Sequence, residues 1–213
     1  MVMLRIQQNP ENISRGQVVR LIKRLQLITA GLPEPMSNQI IQDYGKDPFL
    51  ILISCLLSLR ARDVVTYKVS KKLFERARTP QQLVKIPLLE LEQIIHAIGM
   101  YHKKAHVLHE VSEQLLVRFH GKVPNNEKEL LSLPGVGRKT ANLVLGLAFA
   151  IPAICVDVHV HRLANQLGLV KTKTPEQTEY ALQKIIPKNQ WIEINRLLVM
   201  VGQNRIDIRK LML

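Results

Sequence analysis

Lys139 and Asp157 are the two residues whose types, neighbours and spacing best suit covalent chemistry. Lys139 lies in the run LPGVGRKTAN, residues 133–142. Pro134-Gly135-Val136-Gly137 must turn tightly, and its glycines permit positive φ and close backbone approach. A short apolar helix ends at Leu133, and a second begins near Arg138 or Lys139. The first N–H groups of a helix have no partner within it. A hairpin between two helices therefore aims N–H donors and partial positive charge outward, where a phosphate fits. The backbone of Gly135, Val136 and Gly137, the charge of Arg138 and the hydroxyl of Thr140 would form that grip. Lys139 stands beside it in the first turn of a helix, facing the positive dipole end. A neutral amine is the nucleophile that a Schiff base needs. A glycine turn alone is common punctuation and a lone lysine is ordinary in a basic protein; the whole unit LPGVGRKTA is specific.

Asp157 follows 18 residues later in ICVDVHVHR, residues 154–162. It closes an apolar run, where a carboxylate must be satisfied or used. It suits the N-cap of a helix beginning at Val158, a role compatible with catalysis. His159 and His161, two apart on a helix, point to different faces, so no metal site is expected. Arg162 suits a phosphate or a neighbouring carboxylate. Cys55 and Cys155 lie 100 residues apart in apolar stretches with no CxxC. That supports neither a zinc finger nor a sulfur-ligated cluster and reads as two buried, reduced thiols of a cytosolic protein.

The elements that must position these residues are helical. Residues 16–30 place Val18, Val19, Leu21, Ile22, Leu25, Leu27 and Ile28 on one broad face, ended by Gly31 and Pro33. Residues 33–38 read as a linker. Helices follow at 48–58, opened by Pro48, and at 63–78, with Asp63 as N-cap and Arg76 and Arg78 at the C-terminal end. Thr79-Pro80-Gln81-Gln82 and Thr174-Pro175-Glu176-Gln177 are capping signals with proline at the first helical position. Pro87 separates two short helices, Gly99 ends the second, and a long helix spans 102–119. The apolar segment 143–156, split by Pro152, reads as a buried helix too short to cross a membrane. No strand alternation appears, so the fold is all-α.

Thirty Lys and Arg against 17 Asp and Glu give a net charge of +13. Such an excess favours a polyanion, since each neutralised phosphate releases counterions. The opening stretch, with Arg5, Asn9, Pro10 and Glu11, has no apolar core of a secretory leader, which points to the cytoplasm.

LPGVGRKTAN and VDVHVHR closely resemble the endonuclease III family of the helix-hairpin-helix DNA glycosylases. The likeness continues through LLSLRARD (56–63), GMYHKKA (99–105), Val123-Pro124 and WIEINRLLVMVGQ (191–203). It implies two helical domains: a six-helix barrel-like domain at 41–151 carrying the hairpin, and a second built from 1–40 with 152–213. DNA would lie across the cleft between them. The resemblance implies a monomer acting on double-stranded DNA with a damaged base or abasic site. Lys139 would attack C1′, expel the base and form a Schiff base, and β-elimination would cut the strand on the 3′ side. Asp157 would deprotonate the lysine or stabilise positive charge on the sugar. Arg60 falls where the family places a glutamine that fills the gap left by the flipped base, and Met100 where it places a leucine wedge. His159 and Arg162 would face DNA. Val158 replaces the threonine of the family's VDTH-type motif.

The family also closes with four cysteines binding a 4Fe–4S cluster. Ile206 stands where the first is expected, so the expected cofactor is none, with Arg205, Arg209 and Lys210 supplying some of the lost charge. Oxidised pyrimidines are the substrate the resemblance favours. A mismatch or other-base glycosylase on the same fold, and a helix-hairpin-helix DNA-binding protein without chemistry, are the alternatives. Retention of both Lys139 and Asp157 argues against the last.

Overall fold

The computed structural model describes residues 14–208. The readings placed on Arg5, Asn9, Pro10, Glu11, Arg209 and Lys210 lie outside them. Twelve α-helices, α1–α12, follow one another among the described residues, with a 3-10 turn at Lys188–Gln190 and no strand. The fold is all-α. No described helix is long and apolar enough to cross a membrane.

The chain divides into two compact units, residues 35–151 and residues 1–34 with 152–213. The first holds α2 (Met36–Tyr44), α3 (Pro48–Ser58), α4 (Asp63–Arg76), α5 (Pro80–Val84), α6 (Leu88–Ile95), α7 (Tyr101–Phe119), α8 (Glu127–Leu131) and α9 (Arg138–Phe149). Six of these have eight or more residues, and α5 and α8 have five each. Its centre is α3, where every residue from Phe49 to Leu57 is buried. A helix apolar all round belongs inside a core, and α2, α4, α7 and α9 pack on it. Pro48 occupies its first turn, and the Asp47 carboxylate accepts from the Phe49 and Leu50 amides at 2.9 and 3.0 Å.

Three sequence expectations change in this unit. The linker read at 33–38 gives way to α2 at Met36, and residue 41 lies inside that helix. Two prolines and a polar run hide α2 in the sequence, and only Met36, Ser37 and Ile40 of it are buried. Asp63 is the first residue of α4 rather than its cap; its carboxylate accepts from the Met36 amide at 3.2 Å and so satisfies the start of α2 instead. Arg78 lies past the end of α4, yet its Nε donates to the Phe74 carbonyl at 3.0 Å, the C-terminal role expected of it. The apolar stretch 143–156 is not one helix: α9 stops at Phe149, and 150–157 runs without helix into Asp157.

The second unit holds α1 (Arg15–Thr29), α10 (Val158–Gln166), α11 (Pro175–Ile185) and α12 (Trp191–Gln203). Val18, Leu21, Ile22 and Leu25 of α1 join Val160, Leu163, Leu182, Ile194, Leu197, Leu198 and Val201 in its core. Val19 and Leu27, read onto the same face, are 42% and 75% exposed because they fall off the i, i+3, i+4, i+7 stripe. Arg196 of α12 binds Glu34 at 2.6 Å and Glu193 at 2.9 Å, and Gln26 of α1 donates to Glu193. The Arg196 guanidinium beside it holds the Glu193 carboxyl below the usual carboxylate range.

Candidate active site

The structure places the predicted residues in two groups. Lys139, the hairpin, Arg60 and Met100 belong to the unit 35–151; Asp157, His159 and Arg162 belong to the other.

The hairpin runs from α8 to α9. Gly135 has φ +71°, and a Cβ there would lie 2.9 Å from Val107 Cγ1 and 3.5 Å from Leu56 Cδ2. The fold itself requires this glycine. Gly137 differs: it is the N-cap of α9 in an extended conformation, and a Cβ on it would meet nothing within 4 Å. Six other helices carry a side-chain cap, from Ser14, Asp47, Thr79, Asn126, Asp157 and Thr174, whereas α9 has none. An open glycine at an uncapped helix start is what close approach of a phosphate requires. Gly137→Ala is accordingly expected to weaken DNA binding while lowering stability by no more than about 0.5–1 kcal/mol, the scale of an N-cap change. Gly135→Ala is expected to cost more stability, because its φ is strained for any L side chain. Thermal melts and duplex titrations of both variants separate the two roles; equal effects on binding and melting would show that they share one.

Lys139 is exposed on the second residue of α9. Arg138 reaches back to Glu127 at the start of α8 at 3.5 Å. Beneath the hairpin lies Cys55, whose thiol burial pushes up to about 12 while the nearby Lys139 charge works the other way. Cys55 and Cys155 are both buried and form no disulfide, and burial is what the sequence suggested. Thr140 is corrected: at 3% exposure it is a packing residue rather than a surface hydroxyl. Val136, 7% exposed, offers backbone only.

Arg60 and Met100 are both exposed and both left-handed, at φ 54° and 59°. A non-glycine residue held there costs of order 1–3 kcal/mol and tends to mark functional loops. His120, Ala150 and Arg205 share the conformation and, like Arg60 after α3, follow the end of a helix. Met100 instead precedes α7, where the N-cap is usually extended. Sequence reading placed these side chains by resemblance alone; the backbone gives an independent reason to single out Met100.

In the other unit, Asp157 caps α10, its Oδ1 accepting from the Val160 amide at 2.8 Å. It is part-exposed. The preceding residues Ile154, Cys155 and Val156 are buried, and Asn195 of α12 donates to the Cys155 carbonyl, so the approach to Asp157 is fixed from both sides. Val158 is 74% exposed. His159 packs against α12: a Cβ on Gly202 would lie 2.5 Å from its Nδ1. That nitrogen is buried without a hydrogen-bond partner, so much of the ring serves packing. Arg162 is exposed and donates to Gln166 at 3.1 Å, an amide rather than the carboxylate considered above. His161 bonds Thr178 at 2.6 Å, apart from His159. No group of three or more His, Cys, Asp or Glu capable of holding a metal occurs among the described residues. Ile206 packs partly buried on the core of this unit. The two cysteines of the sequence, both buried, are too few to ligate a four-thiolate cluster.

Asn195, Gly202 and Lys104 were missed from sequence. Lys104 carried a signal: it lies on the stripe of Ala105, Leu108, Val111 and Leu115 that α7 buries.

Comparison with known proteins agrees with an uncapped glycine hairpin, an exposed lysine on it and an aspartate cap. The chain belongs to the HhH-GPD superfamily of base excision DNA repair proteins, whose family model matches residues 53–188. It is a base-excision repair DNA glycosylase. Within that superfamily it belongs to the endonuclease III family: it is 48% identical to endonuclease III of Thermotoga maritima over 175 residues, 80% of this chain and 82% of that protein. A solved non-covalent endonuclease III–DNA complex is 35% identical with a TM-score of 0.79, covering 90% of this chain and 86% of that one. A trapped endonuclease III–DNA covalent intermediate, an estranged-adenine complex, is 34% identical with a TM-score of 0.77, covering 90% and 87%.

Proposed function

We propose that this enzyme excises oxidised pyrimidines from double-stranded DNA and cleaves the resulting abasic site, as a monomer and without an iron–sulfur cluster. The observation that carries the reading is the place of Lys139, exposed at an uncapped helix start beside an open glycine. The relative trapped covalently on DNA supports it. The Lys139 amine attacks C1′, and the bond from C1′ to the base breaks as the base leaves. The sugar opens to an iminium. Loss of a C2′ proton then breaks the C3′–O bond and cuts the strand. Asp157 takes the lysine proton or stabilises positive charge on the sugar. Gly135, Val136 and Gly137 hold a phosphate through backbone groups, with Arg138 adding charge, and exposed Arg162 supplies a further cation for DNA.

Arg60 enters the gap opposite the extruded base, and Met100 wedges the duplex. Unstacking costs a few kcal/mol, so the hole must be filled. Arginine only donates hydrogen bonds, and guanine offers O6 and N7 as acceptors. Guanine opposite the lesion is therefore expected to be processed faster than adenine, and Arg60→Gln is expected to narrow the difference. Single-turnover rates on oxidised-pyrimidine duplexes with each of the four opposite bases test both the substrate and this preference. No release of oxidised pyrimidine would remove the substrate; equal wild-type rates across four partners would remove the role of Arg60. A uniform loss of affinity in the mutant, with a weaker salt dependence, would put Arg60 on a phosphate instead.

A further inference from the structure

Lys104 is the one buried lysine or arginine among the described residues, 8% exposed. An ammonium is costly to bury, and burial pushes this one down to about 8. Its position explains what that cost secures. Nζ donates to the Leu57 carbonyl at 2.7 Å, across 47 residues of sequence, in the last turn of α3. In a continuing helix that carbonyl would accept from the Ala61 amide. The left-handed turn at Arg60 sends the Ala61 amide to Ser58 instead, at 3.0 Å. Lys104 thus takes over a carbonyl that the Arg60 turn releases, and sets a cation at the negative end of α3, where the dipole favours it.

The same residue fixes the other exposed loop. The Lys104 amide donates to the Met100 carbonyl at 3.0 Å, closing the first turn of α7 on a left-handed Met100. One end of Lys104 therefore holds the Met100 turn and the other end holds the turn that carries Arg60.

We propose that Lys104 is a positioning residue that locks the Arg60 and Met100 loops into the mutual register in which their side chains enter the duplex. This rests on the assignment of Arg60 and Met100 as the inserting residues. Lys104 itself touches no DNA. Its influence falls on extraction of a stacked base, which both loops must assist, more than on cleavage of a preformed abasic site, where no base has to be extracted.

The test uses the full chain, with Lys104→Met to keep the length of the side chain and remove the cation. Single-turnover rates are measured at saturating enzyme on two duplexes, one with a base-paired oxidised pyrimidine and one with a preformed abasic site, alongside a thermal melt. Misplacement by about 1 Å is expected to slow excision by roughly 10²-fold, while abasic-site incision changes little. The triple variant Arg60→Ala/Met100→Ala/Lys104→Met is expected to be no slower in excision than Arg60→Ala/Met100→Ala, since Lys104 acts only through those two loops. Excision and incision falling together in step with a lower melting temperature would reduce Lys104 to a structural lysine and overturn the proposal. Should Lys104→Met melt below the assay temperature, Lys104→Arg displaces the cation without removing it, and the same separation of the two rates is expected. Arg60→Ala and Met100→Ala distinguish the failures. If both excise at the wild-type rate, the insertion assignment falls and this proposal with it. If both are slow and Lys104→Met is not, the positioning role alone is wrong.

Discussion

Lys139→Gln is expected to abolish the covalent complex that borohydride traps on an abasic duplex, while the variant still binds that duplex. Glutamine keeps a polar side chain of similar reach and removes only the amine. The hairpin does not depend on that amine: Gly135 turns at a φ of +71° with no room for a side chain against Val107, Arg138 is paired with Glu127, and α9 is anchored by buried Ala141, Val144 and Leu145. Binding therefore loses one cation, which lowers the salt dependence by about one phosphate equivalent. Chemistry loses its electrophile-trapping group altogether. Other lysines are numerous in this basic chain, but Lys104 is buried with Nζ held by Leu57 and is no substitute. Borohydride trapping on denaturing gels reads the covalent step, and titration at several salt concentrations reads binding. Full trapping by the variant would exclude Lys139 as the nucleophile; loss of trapping together with loss of binding would show that Lys139 grips DNA rather than reacting with it.

The sequence made α3, α7, α9 and the Asp157 cap legible because each is specified locally. Pro48 after a capping Asp47, the glycines around Val136, and an aspartate before Val158-His159-Val160 are signals that neighbouring residues suffice to write. Alternation of Val18, Leu21, Ile22 and Leu25 similarly announced the buried side of α1. What was illegible depends on contacts distant in sequence. The start of α2 is satisfied by Asp63, 27 residues away, and nothing in Pro35-Met36-Ser37 reveals it. The stretch 150–157 is apolar because Ile154, Cys155 and Val156 are buried, not because it is helical; apolarity reports burial, and periodicity fails over so short a run. At the candidate site, residue types single out Lys139 and Asp157, since a nucleophile and a carboxylate are chemical identities legible one residue at a time. The left-handed backbones of Arg60 and Met100 were not readable, since neither is the glycine or asparagine that normally marks that conformation. Nor was the outward or inward fate of Thr140, which turns on how α9 rotates against α3.

Asp157→Asn is expected to fold with nearly wild-type stability and to turn over roughly 10²–10⁴-fold more slowly, the range for loss of an acid–base group. The substitution is informative because it separates the observed cap of Asp157 from the catalytic charge proposed for it. Oδ1 accepts from the Val160 amide at 2.8 Å, and asparagine caps a helix about as well as aspartate. The neutral amide therefore keeps the cap and removes only the negative charge. Asp157→Ala removes both, and is expected to lose about 1 kcal/mol of stability in addition to activity. Ile154 to Val156 remain buried and Asn195 still holds the Cys155 carbonyl, so the backbone at position 157 stays in place in both variants. Measuring thermal stability beside single-turnover rates for the two substitutions resolves cap from charge. Near-normal rates in Asp157→Asn, with a deficit appearing only in Asp157→Ala and matching its stability loss, would make Asp157 a helix cap and nothing more. A deficit shared by both variants, with stability lost only in the alanine, assigns the carboxylate charge to the chemistry of Lys139.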